Sequence, residues 1–458
     1  MRHCYLSHPS LSHPFTPQSE NRFVTRIIFP GIIFPAAVFL LSLILTGCDN
    51  TQDRVSDDTI KEAVIFLHYF SGSLSGGLDD MARSFNDNNP RYELKPVSLD
   101  HEAFKSGIRD TLNSGNPPDL YSYWAGARTA SIVDDLEPID DIWRRGKLDD
   151  YFAPSLIQAA SEYQGKKYLI PLTQHYIGFF YNKAIFSAHG LSPPSTWNEY
   201  IAVCEVLKSA GVIPIALGAK EKWPAQFWFD LILLRTAPYE FRQRLMSGEI
   251  GYDEQPVGAT FRHWAELLEK GYFNASPHEL SWDTGANELV YQGKAAMTLM
   301  GTWNIGYFTN DAHRWEPGKD FDFFPFPLID TTLPKVSLGP IDGLVIPKQA
   351  PNLAGAGEAI VFLAGVEAQQ AISKGSGALA PNLRVPAAFY SDIQQRVRRE
   401  IDSSLYFAFN YDLATPPAVA QLGLNAFSEF LAFPGEYSEI QMQLAVDAKR
   451  SFAEITTH

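Results

Sequence analysis

Residues 63–70 (Ala-Val-Ile-Phe-Leu-His-Tyr-Phe) form an almost unbroken apolar run, the pattern of a strand buried on both faces of an α/β sheet. A polar, glycine-rich stretch follows. Leu78, Met81, Ala82 and Phe85 then recur at i, i+3, i+4 and i+7, which predicts a helix with one buried stripe. Residues 92–97 predict a second strand, 101–112 a second helix, and 120–124 a third strand after the turn Asn116-Pro117-Pro118-Asp119. Strand, helix, strand, helix, strand at this spacing predicts a parallel sheet with helices on its faces. Such sheets take ligands at the carboxyl ends of their strands, which puts Tyr69, Phe70 and Ser73 on one rim with Trp124 and Arg128.

The pattern changes at residues 170–183. Thr173, Gln174, His175 and Tyr176 make a polar island inside an apolar, aromatic run. Pro171 removes a backbone donor at its start, so a strand is expected to end or change sheet there. Buried hydrogen-bonding side chains cost about 1–3 kcal/mol each when unpartnered, so a loop or a ligand must satisfy them. Farther on, Thr196 and Glu199 are spaced as a capping box, and Cys204 falls on the apolar face of the helix they open. Residues 213–217 predict a strand. Residues 223–234 predict a helix too crowded with Trp223, Gln226, Phe227, Trp228 and Phe229 for one core-facing stripe. Val257, Phe261, Trp264 and Leu268 make a core face. Trp282-Asp283 lies in a turn. Residues 293–300 predict a strand ending in Gly301-Thr302-Trp303-Asn304, 321–327 another, and 339–346 a third carrying Asp342; helices dominate from residue 352.

The first 47 residues stand apart from this pattern. Arg2, Arg22 and Arg26 precede an apolar run over 27–45 that closes on Leu45-Thr46-Gly47-Cys48, the layout of an export signal. Leu-Thr-Gly-Cys resembles the lipobox of bacterial lipoproteins, in which cleavage precedes the cysteine and its thiol carries lipid. That resemblance implies a mature chain starting at Cys48, a polar tether over 48–62, and membrane attachment through lipid on Cys48. Removing three arginines and Glu20 from a chain of net charge −15 leaves −17. That balance argues against nucleic acid as a partner, which needs concentrated basic residues. With Cys4 removed and Cys48 lipidated, Cys204 alone remains in the fold, so no disulfide forms.

Motifs for nucleophilic, zinc, calcium or nucleotide chemistry are missing: there is no GxSxG, HExxH, EF-hand loop, CxxC pair, GxGxxG or P-loop. No cofactor is expected, and catalysis is not expected. What remains is tryptophan beside loops: Trp124, Trp223, Trp228, Trp282 and Trp303, with Gln174, His175, Gln226, Asp283, Asn304 and Asp342 as polar neighbours. A sugar ring stacks its C–H face on an aromatic ring, and its hydroxyls match Asp, Asn, Gln and His. An acidic chain with these groups suits a neutral carbohydrate better than an anion.

These residues also carry a family resemblance. Pro118-Asp119-Leu120 leading to Tyr123-Trp124-Ala125-Gly126, Tyr168-Leu169-Ile170-Pro171, Tyr181-Asn182-Lys183, Pro194-Ser195-Thr196-Trp197-Asn198-Glu199, Gly293-Lys294-Ala295-Ala296-Met297 and Gly301-Thr302-Trp303 occur in the order seen in extracellular solute-binding proteins of carbohydrate ABC importers, the family of maltose-binding protein. The resemblance implies an α/β fold of two hinge-connected lobes, each a mainly parallel sheet flanked by helices. One lobe is expected to hold 63–170 and 293–330, the other 171–292 and 339–458, with crossings at Pro171 and 331–337. It implies ligand contacts from Trp124, Arg128, His175 and Trp303, a monomer outside the cytoplasm, and a membrane permease as partner. In a Gram-negative host, Asp49 resembles a signal for retention at the inner membrane; in a Gram-positive host the chain would sit on the outer face of its membrane. Gly72-Ser73 and His175 depart from the charged contacts of the maltose protein and point away from maltose. Two rival readings keep other chemistry open: the same fold with a polyamine, phosphorylated polyol or chelated iron, and a secreted glycoside hydrolase using Asp283 and Asp342.

Overall fold

The computed structural model describes residues 60–70, 75 and 77–456. The signal segment 1–47, Cys48, most of the tether and Ser73 lie outside these residues. Strand β1 (Glu62–His68) is flanked in parallel by β2 (Tyr92–Ser98) and β3 (Leu120–Trp124). Helix α1 (Leu78–Asn88) buries Leu78, Met81, Ala82 and Phe85, the stripe read from their spacing. Helix α2 (His101–Leu112) begins where the Asp100 carboxylate accepts from the amides of Glu102 and Ala103 at 3.0 and 3.1 Å. The capping box of Thr196 and Glu199 is present, and Cys204 and Trp264 are fully buried.

Two strands from far along the chain complete the first sheet. Ile341–Val345 runs antiparallel to β3, and Ile170–Gln174 antiparallel to Ile341–Val345. The second sheet has the order Phe321–Phe324, Ile177–Asn182, Ala295–Gly301, Ile213–Ala216, and only its last pair is parallel. Both sheets are therefore mixed rather than mainly parallel. The physical reason is the crossing: a strand that comes from the other lobe enters its sheet from the cleft end, against the direction of strands that point toward the cleft. Each sheet has its own apolar core. Phe66, Tyr121, Ile170, Ile341 and Ile360 belong to the first, and Phe179, Trp228, Trp264, Ala295 and Phe427 to the second.

Core membership moves two segments from where the sequence put them. Ala295–Gly301 and Phe321–Phe324 belong to the second sheet, so 293–330 does not return to the first lobe. Ile341–Val345 and the helices Leu353–Leu363 and Val366–Ser376 pack with the first lobe instead. An apolar strand records that it is buried but not in which of two cores. The crossings shift as well. Pro171 sits inside a paired strand, opposite Gly343, and its missing donor is tolerated there. The first crossing is at His175-Tyr176, and the second is at Gly339-Pro340 rather than 331–337. A third passes Leu379, whose amide and carbonyl pair with those of Gln174 at 2.9 Å each.

The crossings touch. The His175 amide donates to the Pro340 carbonyl at 3.0 Å. A Cβ at Gly339 would stand 2.0 Å from the His175 carbonyl oxygen, so only glycine allows this approach. We expect Gly339→Ala to force the two crossings apart and to lower the unfolding free energy by about 1–3 kcal/mol, read from the urea midpoint. An unchanged midpoint would contradict that contact.

Candidate functional site

A cavity of about 450 Å³ lies between the lobes. Its base is the buried carboxylate of Asp342, 4 % exposed, on the strand that joins β3 to Ile170–Gln174. Tyr69 donates its hydroxyl to Oδ1 at 2.7 Å, and Thr173 donates to Oδ2 at 2.6 Å. His175 Nε2 stands 3.4 Å from the same Oδ2, while its Nδ1 lies 2.8 Å from Thr302 Oγ1. With the proton on Nε2, the ring donates toward Asp342 and accepts from the Thr302 hydroxyl. Burial pushes the Asp342 carboxyl up, but His175, Thr173 and Tyr69 outweigh it and hold the group below the usual carboxylate range. Burial and the neighbouring carboxylate together push the Tyr69 phenol well up, so it stays a donor.

Aromatic rings form the walls. On the first lobe Tyr69 stacks on Trp124, with centroids 4.1 Å apart and planes 14° apart. Arg128 lies over the Trp124 ring at 5.4 Å, and His101 meets that ring edge-on at 5.2 Å. On the second lobe Trp223 stands 5.7 Å from Trp282 and 5.9 Å from Trp303, and Phe227 stands 6.1 Å from Trp303. His101 and Trp223, one from each lobe, approach to 6.2 Å, so the walls face each other closely. Three buried side-chain atoms of the described lining residues have no protein partner: Trp303 Nε1, Glu221 Oε2 and Asn410 Oδ1.

Charge is concentrated at one side. Asp412 Oδ2 lies 3.4 Å from Lys105 Nζ and 3.3 Å from Arg128 Nη2, and its amide donates to Gln226 Oε1 at 2.8 Å. Burial pushes the Asp412 carboxyl up; Lys105, Arg128 and Gln226 hold it down, with a net shift downward. Asp283 Oδ1 accepts from Ser281 Oγ and the Thr284 amide, both at 2.7 Å. No group of three or more His, Cys, Asp or Glu side chains that could hold a metal ion occurs among the described residues.

Of the residues singled out in the sequence, Tyr69, Phe70, Trp124, Arg128, His175, Trp223, Gln226, Trp282, Asp283, Trp303 and Asp342 line the cavity. Trp228 does not. It is fully buried, 4.9 Å from Phe273 and 5.7 Å from Phe179, because two residues along a helix turn it about 200° from Gln226. Gln174 does not line the cavity either. Strand alternation turns it away from the face on which Thr173 meets Asp342, and its backbone holds Leu379. Tyr176 belongs to the second core, edge-on to Phe323. Ser73 lies outside the described residues. Missed were Asp100, His101, Glu102 and Lys105, Glu221, Asn310, and Asn410, Asp412 and Leu413. The first four had a signal, since they follow the carboxyl end of β2, which is rim by the same rule that found Trp124.

The carboxylate at the base gives a test. Its folded pKa lies below its unfolded value, so the stability it contributes is complete above the ordinary carboxylate pKa of about 4 and is lost as pH falls through the lower folded value. We expect Asp342→Asn to cost about 1–3 kcal/mol in urea unfolding at pH 7, with the gap between variant and parent closing only below about pH 4.

The comparisons agree with this geometry. Residues 71–370 match the family described as bacterial extracellular solute-binding protein. An uncharacterized ABC transporter extracellular-binding protein of Pyrococcus horikoshii is 31 % identical over 378 residues, covering 80 % of this chain and 83 % of its own length. A probable sugar-binding periplasmic protein of Mesorhizobium japonicum is 29 % identical over 184 residues, 40 % of this chain and 43 % of its own. Among solved structures, a bacterial solute receptor with an exclusive substrate preference for β-D-galactopyranose superposes with a TM-score of 0.78 at 25 % identity, covering 86 % of this chain and all of that one. The chain belongs to the extracellular solute-binding proteins of bacterial ABC transporters.

Proposed function

We propose that this protein is a lipid-anchored receptor that captures an uncharged sugar in the interlobe cleft and delivers it to the transmembrane subunits of an ABC permease. The observation that carries this reading is the pairing of aromatic walls with a buried, oriented carboxylate. Sugar C–H faces pack on Trp124, Trp223 and Trp303, while hydroxyls find Trp303 Nε1, Asn410 Oδ1 and the carboxylates of the rim. A cavity of about 450 Å³ falls in the range of small-molecule sites. Closure follows from differential contact: a ligand touching both walls stabilises the state in which they face each other, and that state is what a permease can sense.

Catalysis is not part of the proposal. A general acid for glycoside cleavage needs a raised pKa, and Asp342 is held down by three donors. The reading of membrane attachment is supported by Cys48 and the lipobox-like Leu45-Thr46-Gly47 before it.

Isothermal titration against a panel of neutral mono- and oligosaccharides is expected to give a binder that also raises the melting temperature. Trp223→Ala and Trp303→Ala are each expected to weaken it about tenfold or more. Failure of every sugar to bind or stabilise would overturn the sugar assignment. For the anchor, Cys48→Ser is expected to leave the chain unlipidated, with no acyl mass on the mature N-terminus; an acylated variant would contradict it.

A further inference from the structure

Lys105 on α2 and Arg128 on the short helix α3 (Ala127–Ala130) both belong to the first lobe, and both reach the same oxygen, Asp412 Oδ2, at 3.4 and 3.3 Å. Two cations converging on one point of a concave wall are the usual equipment for binding a phosphate or carboxylate. Here the side chain of Asp412 fills that point. The turn that carries Asp412 is lashed to helix Gln226–Thr236: the Tyr411 amide donates to Asp230 Oδ2 at 2.6 Å, the Asp412 amide to Gln226 Oε1 at 2.8 Å, and Arg242 joins Asp230 to the Phe409 carbonyl. These bonds fix the backbone at Asp412, and Lys105 and Arg128 hold its carboxylate at the point where they converge. Glu102 offsets the second positive charge, being held below its usual range against burial by His101 and by Lys105. The remaining charged side chains of the wall, Asp100, Glu221, Asp283 and Asp342, are all acids.

We propose that Asp412 is a resident counter-anion that sets the charge specificity of the cleft. It occupies the position a ligand phosphate or carboxylate would take, so the receptor accepts uncharged sugars and rejects their phosphorylated and carboxylated counterparts. This deepens the sugar reading above and rests on it. The contact sits where the lobes meet: Lys105 and Arg128 come from the first, and the Asp412 segment is bonded to the second at Asp230 and Gln226 while Leu413 packs in the first core. Removing the carboxylate leaves the buried Arg128 guanidinium without its ion-pair partner and the part-buried Lys105 with only Glu102 nearby, a state that an added anion relieves.

The test is titration of matched pairs, glucose with glucose 6-phosphate and galactose with galacturonate, on the wild-type protein and on Asp412→Asn, with inorganic phosphate as a separate probe. Wild-type protein is expected to bind the neutral member about tenfold or more tightly and to show no melting shift with phosphate. Asp412→Asn is expected to lose that preference and to gain melting temperature with phosphate or the anionic sugar, and the added change Arg128→Gln is expected to abolish the gain. A general packing defect would not respond to phosphate. Two results overturn the proposal: wild-type protein that takes the anionic member as tightly as the neutral one, or a folded Asp412→Asn that responds to no anion. Should Asp412→Asn fail to fold, the matched pairs on wild-type protein decide alone. If neither pair binds, the comparison is made with the neutral sugar that the panel identifies and its carboxylated or phosphorylated counterpart; failure of the whole panel strikes at the sugar reading, and this inference falls with it.

Discussion

A carboxylate taken out of water must be repaid in hydrogen bonds, and Asp342 is repaid from three directions. Tyr69 comes from the end of β1, Thr173 from the strand that leads to the first crossing, and His175 from the crossing itself. Each donor ties a different segment to the strand that follows the second crossing. Through Thr302 the chain of contacts continues into the second lobe. The charge thus fixes where two lobes meet and which side chains surround the gap between them. An apolar residue at 342 would bury as well but would leave Tyr69 and Thr173 without their acceptor, at a cost of about 1–3 kcal/mol for each orphaned group.

Around that fixed base the walls are built from large rings. Tyr69 stacked on Trp124 and Trp223 set against Trp282 and Trp303 give each wall a packed aromatic surface. Most polar groups that could disturb them are satisfied locally. Trp303 Nε1, Glu221 Oε2 and Asn410 Oδ1 are buried atoms of lining residues that the protein leaves without a partner. The proposed ligand matches this base and these walls in being apolar on its faces and hydrogen-bonding at its edge.

Much of this was legible in the sequence, and the gaps have physical causes. The first βαβαβ run, the stripe of α1 and the capping box are local patterns, and local patterns survive into the fold. Trp124, His175, Trp303 and Asp342 were found because strand ends and polar islands are visible in one dimension. Trp228 was misplaced because an aromatic-rich helix buries residues on all sides, and spacing alone does not say which side meets the cleft. Residues 293–330 were given to the wrong lobe because a buried strand looks the same in either core. Asp412 left no mark: it lies in a four-residue helix, and its importance arises only when Lys105 and Arg128 arrive from some 300 residues away.

A crystal structure of the protein with the neutral sugar that binds it most tightly tests the central claim most directly. The account predicts a sugar ring between the lobes, with its C–H face against Trp124, Trp223 or Trp303, a hydroxyl accepting from Trp303 Nε1, and Asp342 still holding Tyr69 and Thr173. A sugar bound outside the cleft, or one that leaves the tryptophan faces uncovered, would contradict it.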